Sequence, residues 1–140
     1  MESMRDHITR VGDEITLTIP REESFHHVAH LVLAGMAARL DLTYENLDDL
    51  EVALTALLER AESDGDLTVK LRAGEGAFEA KVGPFHGDAL RRELEREVAE
   101  EEVGLSRVLQ TVVDRVELEE QDGEHWVELT KQLVPTGSEG

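Results

Sequence analysis

The sequence predicts an α+β fold, a two-layer α/β sandwich whose mixed, mostly antiparallel sheet carries its helices on one face. Three observations predict it. Several segments alternate apolar and polar residues with a period of two, and four of them are joined in pairs by short Gly-containing turns. Other segments repeat apolar residues every three or four positions, and these come two at a time. The resulting order is strand, two helices, hairpin, two helices, hairpin, which suits helices stacked on one side of a sheet better than a doubly wound parallel sheet.

Residues Glu14 to Pro20 form the first expected strand, with Ile15, Leu17 and Ile19 alternating against Thr16 and Thr18. Pro20 stops its ladder. From Ser24 to Leu40 the period is helical, and Phe25, Val28, Val32 and Met36 make one stripe. Leu31, Leu33, Ala34 and Ala37 fall outside that stripe, so this helix needs a second covering surface, and a homodimer interface is expected there. Thr43 is placed to cap a second helix, with Glu45, Asp48 and Asp49 near its positive end. Its core stripe is Leu47, Leu50, Leu54, Leu57, Leu58 and Ala61.

Leu67, Val69 and Leu71 then face Phe78, Ala80 and Val82 across the turn Ala73-Gly74-Glu75-Gly76, a β-hairpin. Gly83 to Gly87 reads as a break. A charged, mostly solvated helix is expected over Asp88 to Glu102, with Leu90, Leu94 and Val98 four apart, and a more deeply packed one over Leu105 to Asp114. The last hairpin turns at Gln121-Asp122-Gly123, between Val116 and Leu118 on one side and His125, Val127, Leu129 and Leu133 on the other. One domain over residues 1–134 is expected, followed by a small polar tail over 135–140 that should be disordered.

The chain of 140 residues has a formal charge of -18, which repels the phosphate backbone of nucleic acid and anionic lipid alike. A basic protein partner is instead attracted at long range. No cysteine is present, so thiol nucleophiles, disulfides and Cys-based zinc sites are excluded. There is no long apolar run and no basic-then-apolar start, and a cytoplasmic protein is expected.

Four stretches carry a family resemblance. They are Glu23-Ser24-Phe25, Leu47-Asp48-Asp49-Leu50-Glu51-Val52-Ala53-Leu54, Gly104-Leu105 with Leu109 and Val113, and Val127-Glu128-Leu129-Thr130-Lys131. In this order, together with the element order from Ile15 to about Leu133, the chain resembles the anti-sigma-factor serine kinases of the GHKL, or Bergerat-fold, ATPase superfamily. The resemblance implies a Bergerat-like fold and a sigma factor or related regulator as partner. It further implies that the start of the first helix, Phe25, His26 and His27 with His30, forms part of the contact surface.

Where the family keeps its chemistry, this sequence departs from it. The positions of the family's general base and of its magnesium-binding Asn fall on Ala56 and Arg60. Alanine takes no proton, and a guanidinium repels a metal ion while attracting phosphate or carboxylate. The family's adenine-binding Asp and its glycines correspond to Val82-Gly83-Pro84-Phe85-His86-Gly87, which has glycines and no Asp before Asp88. Of the last glycine box only Gly104 survives, after Glu101, Glu102 and Val103. The family's flexible lid is replaced by the charged helix around Leu90, Leu94 and Val98.

These losses point to a non-catalytic anti-sigma-like binding protein with no catalytic residues, no metal and no cofactor. Ala56, Arg60, Gly83 and Gly104 mark the remnant pocket. The alternatives are an active ATP-dependent serine kinase with divergent motifs, using ATP and magnesium, and a structural homodimer or ligand module. His26 and His30 have a zinc-compatible spacing, but the position after His26 is His27 where a zincin needs Glu, and the imidazoles suit a helix edge better. Asp48, Asp49 and Glu100 to Glu102 read as solvated charge, and Trp126 as either an exposed anchor or a residue beneath a helix.

Overall fold

The alternation over Glu14–Pro20 puts Leu17 and Ile19 on one face of a strand, β2, and both are buried. A short strand the sequence did not announce, β1 (Ile8–Val11), pairs with it. Four residues are too few to show a period. In this computed structural model the described residues are 8–11, 14–61, 65–74, 76–95 and 104–133. After β2 come a 3-10 turn at Glu23–Phe25, α1 (His26–Arg39), α2 (Tyr44–Leu58), β3 (Asp66–Gly74), β4 (Ala77–His86), α3 (Ala89–Glu95), α4 (Leu105–Val112), β5 (Arg115–Gln121) and β6 (Glu124–Gln132).

The six strands form one sheet in the order β1-β2-β3-β4-β6-β5, and every pairing between them is antiparallel. Leu67, Val69 and Leu71 of β3, Phe78, Ala80 and Val82 of β4, and Val127 and Leu129 of β6 share the buried face with Leu17 and Ile19. They form one core with residues of all four helices, including Leu33, Leu54, Leu90 and Leu109. The helices therefore lie on one face, as the α+β reading requires. The other face is polar: Thr18 and Thr68 meet there at 3.1 Å, and Lys81 lies 2.9 Å from Glu119. The β5–β6 turn holds Asp122 and Gly123 at φ 55° and 80°, the pair of positive angles that a two-residue hairpin turn needs.

α1 corrects the expected stripe. Its buried residues are Ala29, Leu33, Met36 and Ala37, while Val28 and Val32 are only partly covered and Phe25 lies at the edge. The helix is apolar on most sides, so spacing alone did not select a face. The small Ala29 and Ala37 settle it, because they let the backbone approach the sheet. Leu33 and Ala37, assigned to a second surface, are covered within the chain, and of that set Leu31 stays exposed at 66%.

α2 follows the reading closely. The Thr43 hydroxyl accepts from the Asn46 N–H at 3.1 Å, and Leu50, Leu54, Leu57 and Leu58 are buried. The Lys131 ammonium fastens this helix to β6 through Asp49 at 2.8 Å.

The expected break over Gly83 to Gly87 is a second correction: β4 runs on to His86, and Phe85 pairs with His125. The register shifts between Val82 and Phe85, so Pro84 sits at a bulge, where its missing N–H costs the ladder nothing. The charged helix is described only as Ala89–Glu95. Val98, Glu100 to Glu102 and Val103, like the tail over 135–140, lie outside the described residues.

Candidate functional site

The resemblance places the chemistry at the end of α2, where Ala56 and Arg60 stand one turn apart. Ala56 is buried, and its carbonyl accepts from Arg60 Nη1 at 3.1 Å. Arg60 Nη2 donates to Glu93 Oε2 at 3.0 Å, with Nε 3.5 Å from Oε1, so the guanidinium is clasped by a carboxylate of α3. Glu59 lies 3.7 Å away on the other side. A bidentate pair of this kind fixes both helices relative to each other.

Beside that clasp is a cavity of about 60 Å³, bounded by Arg21, Arg60, Phe85, His86, Leu90 and Glu93 among others. Arg21 is buried although it follows β2 directly. Its Nη2 donates to the Pro84 carbonyl and lies 3.5 Å from His86 Nε2, and its backbone N–H donates to Gly65 O at 3.1 Å. His86 Nδ1 is 3.0 Å from Glu124. The buried His125 donates from Nδ1 to the Gly87 carbonyl at 2.9 Å, holding the chain just after β4 against β6.

The remnant glycines have other duties here. Gly83 faces the open side of the sheet, where a Cβ would lie 2.6 Å from Trp126 Cδ2, so only glycine lets the indole lie against β4. Trp126 is half-buried there, with Lys70 and Lys81 Nζ at 5.9 and 5.6 Å from its ring. It is neither a free anchor nor a residue beneath a helix. Gly104 is the N-cap of α4 in an extended conformation open to any residue. Arg60 thus meets Phe85 and His86 at the small cavity, Ala56 and Arg60 line a separate concavity, and Gly83 points away.

The histidines diverge. His26 Nε2 donates to the Arg21 carbonyl at 3.3 Å, His27 Nδ1 to the Ser24 carbonyl at 3.0 Å, and His30 Nε2 reaches Thr55 Oγ1 of α2 at 3.0 Å. His26 and His30 therefore do not converge on one point, whereas Phe25 and His27 are exposed at the helix start. Arg21 and Glu93 were not singled out from sequence. A lone Arg after a strand and one Glu in a charged run carry no distinguishing signal.

On the polar sheet face the Glu128 carboxyl is pushed above its ordinary value. Partial burial is the main cause, reinforced by Glu119, Glu79 and Glu117 and opposed by Lys81. The exposed Arg72 is shifted upward by its hydrogen bond to Glu79.

The antiparallel sheet with its helices confined to one face, and Arg60 set beside the end of β4, make an α+β two-layer sandwich. The chain is 30% identical over 77 residues to the serine-protein kinase RsbW of Listeria innocua, covering 50% of this chain and 49% of that protein. It is 26% identical over 133 residues to the serine-protein kinase RsbW of Halalkalibacterium halodurans, covering 79% and 78%. The chain thus spans about half the length of the Listeria relative. A crystal structure of the RsbU and RsbW domains of a Mycobacterium tuberculosis protein superposes with a TM-score of 0.64 over 86% of this chain and 32% of that one, at 17% identity, a likeness of fold. No family model matches the chain. The resemblance to the anti-sigma-factor serine kinases is borne out by these relatives. Among the described residues no helix is long and apolar enough to cross a membrane.

Proposed function

We propose that this chain is a non-catalytic anti-sigma-type regulator, which captures a sigma factor or a related cytoplasmic regulatory protein by surface complementarity. The observation that carries it is the Arg60–Glu93 clasp. At the position where the resemblance puts a metal-binding Asn there is a guanidinium, held 3.0 Å from a carboxylate of the segment that replaces the lid. Ala56, at the position of the family's general base, supplies none.

The relatives, named as serine-protein kinases, favour one other reading, an active serine kinase. That reading needs a base and a metal ligand from outside the matched positions. The homodimer loses its main support, since Leu33 and Ala37 are buried within the chain.

The partner follows from the resemblance together with the charge of -18, which draws a basic protein in at long range. A pull-down from the native host, followed by kinetics of the purified pair, tests this. A sigma factor or sigma-pathway regulator should be recovered. Its association rate should fall several-fold as the Debye length shrinks from about 10 Å at 0.1 M salt to about 3 Å at 1 M. A folded bait that recovers no such protein contradicts the reading.

A further inference from the structure

The outer face of α2, turned away from the sheet, is the floor of a valley between α1 and α4. Its volume is about 460 Å³, and a second concavity of about 270 Å³ continues it along α4, sharing Val52 and Val108. The floor is apolar. Val52 is 39% exposed although it lies in mid-helix, Ala56 lies one turn on, and Val108 and Val112 supply the α4 side. The rim is acidic: Asp48, Glu51 and Glu59 stand along α2. Arg60, just past the end of that helix, is occupied by Glu93 at 3.0 Å and Glu59 at 3.7 Å, while Arg107 stands at the outer end of the α4 side. The opposite wall is fastened by the 3.0 Å contact between His30 and Thr55, so α1 and α2 are tied together before any partner arrives.

We propose that this valley is a docking groove for an amphipathic basic helix of a partner protein. Asp48 to Glu59 spans about 16 Å of helix at 1.5 Å per residue, enough for about three turns of a bound helix. Such a helix would seat Leu- or Ile-like residues on Val52, Val108 and Val112 and place Lys or Arg against the three carboxylates, the helix-in-groove mode of recognition. Charge complementarity selects this occupant, because an acidic helix would meet the same rim with repulsion. The groove deepens the regulator reading by naming the contact surface. It rests on that reading only for the existence of a partner.

A model peptide tests it without one. The probe is an 18-residue peptide of Leu and Lys with Leu at i, i+3, i+4 and i+7, compared with a scrambled isomer of the same composition. It is titrated into the full chain with valine methyls labelled for NMR. The patterned peptide should shift the methyls of Val52, Val108 and Val112, and the isomer should bind at least tenfold more weakly. Val52→Lys should weaken binding at least tenfold at an unchanged melting temperature, and Glu51→Gln should weaken it several-fold and flatten its salt dependence. Equal binding of the isomer, shifts confined to other valines, or a folded Val52→Lys protein that binds normally would each overturn the groove. None of these touches the pull-down, which judges the regulator reading separately.

Discussion

Gly83→Ala should destabilise the protein by about 1–3 kcal/mol, the usual cost of overpacking a filled space. The new Cβ would sit 2.6 Å from Trp126 Cδ2, 2.7 Å from Cε3 and 2.9 Å from Cγ. Carbon atoms prefer separations of about 3.5–4.0 Å, so the indole must retreat by about 1 Å, and these atoms lie near the root of the side chain, where little rotation is available. That retreat also disturbs the ring's contacts with Lys70 and Lys81, each worth about 0.5–1 kcal/mol at an exposed site. With a urea dependence of about 1–3 kcal/mol per molar, the unfolding midpoint should fall by about 1 M. In a Trp126→Ala background the clash is absent, and the same substitution should cost less than about 0.5 kcal/mol. A Gly83→Ala protein as stable as the parent, or a cost unchanged without the indole, would refute the claim that this glycine serves packing.

The rotated face of α1 is tested by two truncations. Leu33→Ala should lose about 2–5 kcal/mol in urea unfolding, because Leu33 is 1% exposed, whereas Leu31→Ala should lose under about 0.5 kcal/mol. The reverse order would restore the other face. Glu128→Gln should raise the melting temperature near pH 7. A carboxyl whose folded pKa is raised binds more protons in the folded state, so its ionisation costs stability as pH climbs from the ordinary value of about 4.3 through the raised one. Below about pH 4 both forms are neutral and the difference should vanish; a difference that instead grows on acidification would contradict the shift.

Much of the sheet was legible because its strands are buried on one face only, and Leu67, Val69 and Leu71 against Phe78, Ala80 and Val82 leave a clean period of two. The cap at Thr43 was legible because capping is local. The face of α1 was not, since an apolar girth offers several equivalent stripes and tertiary packing chooses among them. Gly83-Pro84 read as a break because proline ordinarily ends a strand, and only the neighbouring β6 reveals a bulge. Ala56 and Arg60 could be placed through the family resemblance, but the Arg60–Glu93 clasp joins residues 33 positions apart and leaves no local trace. The same holds for Arg21, whose burial depends on Pro84 and His86, more than 60 residues away.

Calorimetric titration of magnesium-ATP into the purified chain measures the central claim most directly. With Arg60 held by Glu93 at the metal-binding position and Ala56 at that of the base, no saturable heat should appear at physiological nucleotide concentration, with or without magnesium. A micromolar, magnesium-dependent site would contradict the account and make the chain a nucleotide-binding kinase after all.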